Sequence, residues 1–235
     1  MSKIIKFIKD IIAPKKCYSC QKEGHFLCPQ CLSKLSNFRP YCYVCKDFSD
    51  NYLVHEDCKK GIYYDRLVVL SHYKNKEISK LVKDAKYYHK KDIFEDFGKY
   101  LSDLLIKNIG DLGVSKSDLV LVPVPMYFLR KLYRGYNQSE ILTNYISQFT
   151  KIKQENKLIK RIKNTRQQSK LSKNVRGQNL DNAFKIEQNK LDKIDKKIII
   201  LVDDVASTGT TINEISKLLK QNGVEKIIGL VIASN

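Results

Sequence analysis

No stretch of this chain approaches the roughly 20 consecutive apolar residues that span a bilayer, which excludes a transmembrane helix on sequence grounds. Its first residues, MSKIIKFIKDIIAPKK, lack both a continuous apolar centre and a small-residue cleavage site, so export through a leader peptide is not expected. Acidic residues are also scarce. With 25 Asp and Glu against 43 Lys and Arg, the formal net charge is +18. A field of that sign attracts polyanions such as nucleic acid or phosphorylated metabolites; a solvated surface in a lysine-rich composition is the plain alternative. The excess is densest in residues 151–197, which carry 15 Lys and Arg against 5 Asp and Glu. Arginine is rarer than the total suggests, at 7 of the 43 basic residues. Five of them, Arg130, Arg134, Arg161, Arg166 and Arg176, share one window. Guanidinium is a planar fork that grips phosphate through two bonds where ammonium is a point charge, so these five are candidates for oriented phosphate contacts.

What the chain does have is a core. At 43% hydrophobic over 235 residues, it can hold one ordinary domain plus a small module and is not a disordered protein. Ile4, Ile5, Ile8, Ile11 and Ile12 fall on one face of an N-terminal helix over residues 1–14, broken up by Lys3, Lys6 and Lys9. Such a helix could dock on its own protein and stop near Pro14, or lie on an anionic membrane surface.

All seven cysteines fall between residues 17 and 58. Cys17 and Cys20, Cys28 and Cys31, and Cys42 and Cys45 form CxxC pairs, and His55 and Cys58 stand at the same spacing. A CxxC turn aims two sulfurs at one ion, and four such pairs supply eight ligands for two tetrahedral Zn²⁺ sites. Spacing does not decide which pairs share a metal. With every ligand used, the metals are structural. A disulfide framework would require an exported chain.

After Gly61 strand and helix patterns alternate. Residues 66–73 and 119–124 read as strands, 76–88, 92–109 and 139–149 as helices, and 198–202, 212–221 and 226–233 as strand, helix and strand. The segment 151–197 is polar, basic and without clear periodicity. Alternation of this kind predicts a parallel α/β sheet with covering helices and ligands at the carboxyl ends of the strands. The organisation expected is therefore residues 1–14 as the helix, 15–62 as the zinc module and 63–235 as the α/β domain. In IIILVDDVASTGTT, Asp203 and Asp204 end a buried strand, and Ala206, Ser207, Thr208, Gly209, Thr210 and Thr211 lead into the next helix. Free N–H groups, hydroxyls and a flexible glycine at a helix start make an anion site. The GxxxxGK[ST] pattern is absent, so a single terminal phosphate fits better than a triphosphate chain. A ribose 5-phosphate held there would turn its two ring hydroxyls toward the carboxylates. Side chains alternate along a strand, so the chain is expected to turn at Asp203-Asp204 for both to reach the sugar.

These residues resemble the phosphoribosyl pyrophosphate (PRPP) motif of type I phosphoribosyltransferases. With the paired CxxC knuckles, VPVPMYFLRKLYRGYNQSE and LIKRIKNTRQQSKLSKNVRGQNLDNAF, nearly the whole chain resembles the ComF family of competence-associated proteins. The resemblance implies a type I phosphoribosyltransferase-like sheet behind a double zinc ribbon, with His55 standing where the family has cysteine. It implies that Asp203 and Asp204 hold the ribose hydroxyls and Ala206 to Thr210 the 5-phosphate. Arg130, Arg134 and Gln138 would face pyrophosphate, Lys86 and Tyr87 match a family pair, and Thr165, Gln168 and Arg176 fall in a loop that closes over PRPP in relatives. The implied chemistry is displacement at the anomeric carbon with Mg²⁺ on the leaving pyrophosphate. The role implied is DNA uptake in natural transformation, in the cytoplasm or at the inner face of the membrane beside the competence machinery, with incoming single-stranded DNA as partner. Two other readings stay open: a metabolic phosphoribosyltransferase, and a nucleic-acid-binding module with a vestigial sugar-phosphate pocket. No general base for an acceptor stands out.

Overall fold

The computed structural model describes residues 14–36, 39–87, 90–164, 182–194 and 197–235. The expected amphipathic helix, together with Thr165, Arg166, Gln168 and Arg176, lies outside them.

The inner strands of the sheet are continuous aliphatic runs because both of their faces are covered and neither meets water, whereas the edge strand of Lys153 and Gln154 is exposed. Strands β1 (Arg66–His72), β2 (Leu119–Pro123), β3 (Lys153–Gln154), β6 (Ile198–Ala206) and β7 (Ile227–Ser234) form one sheet in the order β1-β7-β6-β2-β3. Every pairing in it is parallel. A two-stranded antiparallel piece, β4 (Ile159–Arg161) with β5 (Phe184–Ile186), stands apart. The helices are α1 (Pro29–Leu35), α2 (Lys76–Tyr87), α3 (Ile93–Ile109), α4 (Phe128–Arg134), α5 (Gln138–Thr150), α6 (Gln188–Leu191) and α7 (Thr210–Gln221). On α2, Ile78, Leu81, Val82 and Ala85 recur at helical spacing and are buried. Helices α3 and α5 meet where Gly98 faces Tyr145: a Cβ added at Gly98 would lie 2.4 Å from the Tyr145 Cβ.

Three features depart from the sequence expectation. Strand β6 runs on through Asp203 and Asp204 to Ala206 without turning, because its ladder with β7 continues at Asp203↔Val231, Val205↔Ala233 and Ala206↔Ser234. Residues 151–197 contain β3, β4, β5 and α6, pieces of two to four residues that are too short to show a period. The loop after β2 contains α4, whose residues are all partly or fully exposed and so present no buried stripe.

The cysteine-bearing part is built from two copies of one turn. Gln21 N–H donates to Cys17 O and Lys46 N–H to Cys42 O, each at 2.9 Å, and Gln21 and Lys46 both adopt positive φ, 63° and 72°. Antiparallel bridges close both turns, Lys16 to Glu23 and Tyr41 to Phe48. The first copy docks on α2 and α3: Tyr18 Oη donates to Asp84 (2.6 Å), and Asp96 accepts from Phe26 N–H (2.7 Å). The second docks on the sheet's carboxyl edge, where the Tyr41 and Ser234 hydroxyls meet at 2.7 Å and Tyr52 Oη donates to Val69 O at 3.1 Å. Buried residues from both copies share a single apolar core with the sheet.

Candidate functional site

Pairing of β2 with β6 ends at Pro123↔Val202. Beyond Val202 the longer strand overhangs its neighbour, and both of its faces become reachable from one side. This is how two adjacent carboxylates that alternate along a strand come to line the same hollow. That hollow, of about 150 Å³, is lined by Lys86 and Tyr87 from the end of α2, Val124 to Met126, Arg130 and Arg134 of α4, Asn137 to Ser139, Arg161, Asp203, Asp204 and Thr211. It sits at the carboxyl end of the central strand, the place where open α/β sheets bind ligands. A larger hollow of about 670 Å³ lies at the amino ends of the strands and holds none of these groups.

Each carboxylate is held by a different element. Asp203 accepts from Ser139 Oγ and from Asp204 N–H, both at 2.9 Å. Asn137 caps α5 by accepting from Ser139 N–H (3.2 Å), while its amide donates to Val124 O (3.0 Å), which fixes where the serine points. Asp204 is paired with Lys86 at 2.7 Å, and both are largely buried. Burial pushes the Asp203 carboxyl up to about 7, and the neighbouring Asp204 charge adds to the rise against the Ser139 hydrogen bond. Burial pulls the Lys86 ammonium down, yet the two carboxylates outweigh it and leave it above its ordinary value.

Arg130, Arg134 and Arg161 line the same hollow as the carboxylates. Burial, then the Arg134 guanidinium, draws Arg130 below its usual value. Burial and Arg130 do the same to Arg161, against the Asp203 charge, and its guanidinium lies 5.5 Å over the Phe184 ring. Arg134 lies 5.2 Å over the ring of Tyr87. Guanidiniums keep their protons under such pressure, so crowding them favours an anion between them. Gln138 gives independent support: it is 2% exposed, and its side-chain Nε2 is buried without a hydrogen-bond partner among the described residues. A buried donor left unmade is costly unless a ligand completes it. Beside the hollow α4 presents Leu132 and Tyr133, 74% and 93% exposed.

The small-residue loop lies where the sequence puts it, between β6 and α7. Gly209 has φ 71° and caps α7, and the Thr208 and Thr210 hydroxyls meet at 2.7 Å. Thr211 lines the hollow itself, while Ser207 to Gly209 form the turn between Ala206, the last residue of β6, and Thr210, the first of α7. The second cysteine turn braces this loop from behind: Tyr43 Oη donates to Ala206 O at 2.9 Å, and a Cβ at Gly209 would come within 2.9 Å of the Tyr43 ring. The structure therefore brings together Lys86, Arg130, Arg134, Gln138, Arg161, Asp203, Asp204 and Thr211. Sequence reasoning missed Asn137, Ser139 and Tyr43. The first two stand beside Gln138 in the RGYNQSE element, and a strong N-cap residue before a helix was their available signal.

Two clusters could hold a metal ion: Cys17, Cys20, Cys28 and Cys31, and Cys42, Cys45, His55 and Cys58. The pairing left open by spacing is thus sequential, first pair with second and third with fourth. Ligand atoms within each cluster lie within 4.8 Å of one another. Cys20 and Cys28 Sγ stand 3.7 Å apart, close to the edge of a tetrahedron with Zn–S of about 2.3 Å. His55 turns Nδ1 to Cys45 Sγ (3.4 Å) and Nε2 to Phe48 O (3.0 Å). A carbonyl on Nε2 fixes its proton and leaves Nδ1 free to ligate, so the one histidine fits the set.

A family model for the phosphoribosyl transferase domain matches residues 140–235. Competence protein F of Haemophilus influenzae is 34% identical over 218 residues, covering 90% of this chain and 93% of that protein. DNA utilization protein YhgH of Escherichia coli K12 is 26% identical over 211 residues, covering 90% of this chain and 85% of that protein. The protein of the same description from Salmonella typhimurium is 28% identical with the same coverage.

Proposed function

Because the chain belongs to the competence protein F family, we propose that it binds PRPP at the overhang of β6 and acts in the uptake and use of DNA. The observation that carries the PRPP reading is the pairing of opposites in one hollow: Asp203 and Asp204 with Arg130, Arg134, Arg161 and the unmade Gln138 donor. The carboxylates accept the 2- and 3-hydroxyls of ribose, the loop from Ala206 to Thr211 takes the 5-phosphate, and the guanidiniums with Gln138 take the pyrophosphate. Mg²⁺ bound with PRPP would neutralise part of the pyrophosphate charge. Thr165, Gln168 and Arg176 are proposed to close over the ligand. Lys86 holds Asp204 in place and offsets its charge.

Where the anomeric bond breaks, positive charge develops on the ribose and negative charge on the leaving group. Carboxylates and guanidiniums in one hollow suit that separation. Asp203, its carboxyl raised to about 7 within the hollow, could take a proton from an acceptor, so binding and turnover are separated by the acceptor assay below. The protein names of the relatives favour DNA handling over metabolism, with single-stranded DNA as the proposed partner. Two Zn²⁺ would lock the cysteine turns. Among the described residues no helix is long and apolar enough to cross a membrane. The proposed place of action is the cytoplasm or the inner membrane's cytoplasmic face, beside the competence machinery.

Isothermal titration of PRPP with Mg²⁺ tests the site. The double variant Asp203→Asn/Asp204→Asn should lose most of the affinity, and equal binding by both proteins would falsify the assignment. Release of pyrophosphate with ammonia, glutamine or free bases, at a turnover the double variant lacks, would instead favour the metabolic reading.

A further inference from the structure

A second hollow, of about 600 Å³, opens on the same carboxyl edge of the sheet, between the second cysteine turn and the ends of β1 and β7. Arg39, Pro40, Tyr41, Lys46, Phe48, His72, Lys74 and Asn235 line it. Three features distinguish it from ordinary surface. Its basic side chains are Arg39, Lys46, Lys74 and His72, with no carboxylate side chain among the lining residues. Two aromatic rings are open beside those charges: Phe48 is 58% exposed at the rim, and the exposed His72 ring stacks at 6.1 Å on Tyr41, which is itself 8% exposed with Lys46 Nζ 5.4 Å over its ring. The platform is rigid, since the Tyr41 hydroxyl is held by Ser234 (2.7 Å) and the Phe48 carbonyl by the His55 ring (3.0 Å).

Cations gathered around open aromatic rings match a strand of nucleotides, which offers both phosphates and unstacked bases. A duplex keeps its base faces covered by neighbouring pairs and cannot use such a platform. Resting on the DNA role proposed above, we propose that this groove is a binding site for single-stranded DNA. Bases stack on Phe48 and beside the Tyr41–His72 pair, and phosphates lie on Arg39, Lys46 and Lys74. The groove adjoins the loop that takes the 5-phosphate. Lys46 Nζ lies 3.8 Å over the Tyr43 ring, and Tyr43 Oη donates to Ala206 O. One tyrosine thus separates a strand in the groove from the loop at the end of β6.

The test is fluorescence anisotropy with a labelled oligothymidylate of about 16 nucleotides, the upper end of common site sizes, measured over a salt series. Phe48→Ala should weaken binding roughly 5- to 100-fold, as removal of one stacking platform does. Lys74→Ala, outside the cysteine turns, should weaken binding and reduce the salt slope by about 0.7. Zinc content and the PRPP isotherm should stay unchanged in both. If the intact chain binds the oligonucleotide and both variants match it in affinity and slope, the groove is overturned while the DNA role stands. If the intact chain does not bind at all, the proposed DNA partnership falls together with the groove. A duplex of the same sequence bound as tightly through the same residues would also overturn the stacking assignment.

Discussion

The burial of Asp203 comes at a cost to folding. Its carboxyl is raised to about 7 by burial and by the adjacent Asp204 charge, whereas in an unfolded chain it would titrate near about 3.9. Between those limits the folded state binds the extra proton, so stability is greatest at the acid end and falls as pH rises through the window. The penalty is complete above about 7. Asp203→Asn removes it. The variant's thermal midpoint is therefore expected to exceed that of the parent by roughly 2–6 °C at pH 8, with the advantage disappearing toward pH 4. Melting curves at several pH values check this, and a variant no more stable at pH 8 would show the carboxylate to be well solvated. The same substitution should cost PRPP affinity, the usual exchange of stability for function at a strained site.

At the scale of elements, the site depends on how far β6 outruns β2 and on how closely α5 sits against the body of the protein. Helix α5 brings Gln138 and Ser139 to the carboxylates, and its position is set by the contact of Tyr145 with Gly98 on α3. A methyl group at Gly98 would meet the Tyr145 Cβ at 2.4 Å, far inside contact distance, so Gly98→Ala must push the two helices apart. The expected loss is about 1–3 kcal/mol of unfolding free energy, read by urea denaturation. Because Ser139 and Gln138 move with α5, PRPP affinity should fall as well. A variant with unchanged midpoint and affinity would mean the helix pair yields without effect on the site. The loop of Gly209 belongs to the same scale: its positive φ and the adjacent Tyr43 ring leave no room for a side chain.

Across the whole molecule, the cysteine turns and the phosphoribosyltransferase-like sheet form one packed body. The second metal cluster lies one residue from Tyr43, whose hydroxyl holds the carbonyl of Ala206 at 2.9 Å. The proposed metal site and the loop proposed to take phosphate are thereby joined through a buried hydrogen bond. Tyr43→Phe keeps the ring and removes its hydrogen bond to the carbonyl, a loss of about 1 kcal/mol. PRPP affinity is expected to drop roughly 3- to 10-fold with zinc content unchanged, measured by titration and by metal analysis on the same sample. An unaltered isotherm would show the loop to be held by the sheet alone. Chelation should produce the same drop together with a lower thermal midpoint, because loss of the metal releases the turn that carries Tyr43.

The sequence by itself determined the parallel sheet, the cysteine and histidine ligand set, and the chemical character of the loop after β6. Those depend on local order: aliphatic runs bury themselves, CxxC pairs turn toward an ion, and small hydroxylated residues begin a helix. Tertiary structure decided the rest. The sequential grouping of the metal ligands, the straight course of β6 through its two aspartates and the seating of Arg161 beside Arg130 all require residues far apart in the chain to meet. The turn expected at Asp203-Asp204 did not occur because the β7 ladder extends beyond β2, an inequality of neighbouring strands that no single strand's sequence records. Tyr43 makes the same point, since within its own turn it is only the residue after a cysteine. Folding places it behind the phosphate loop, 163 positions from the carbonyl it holds.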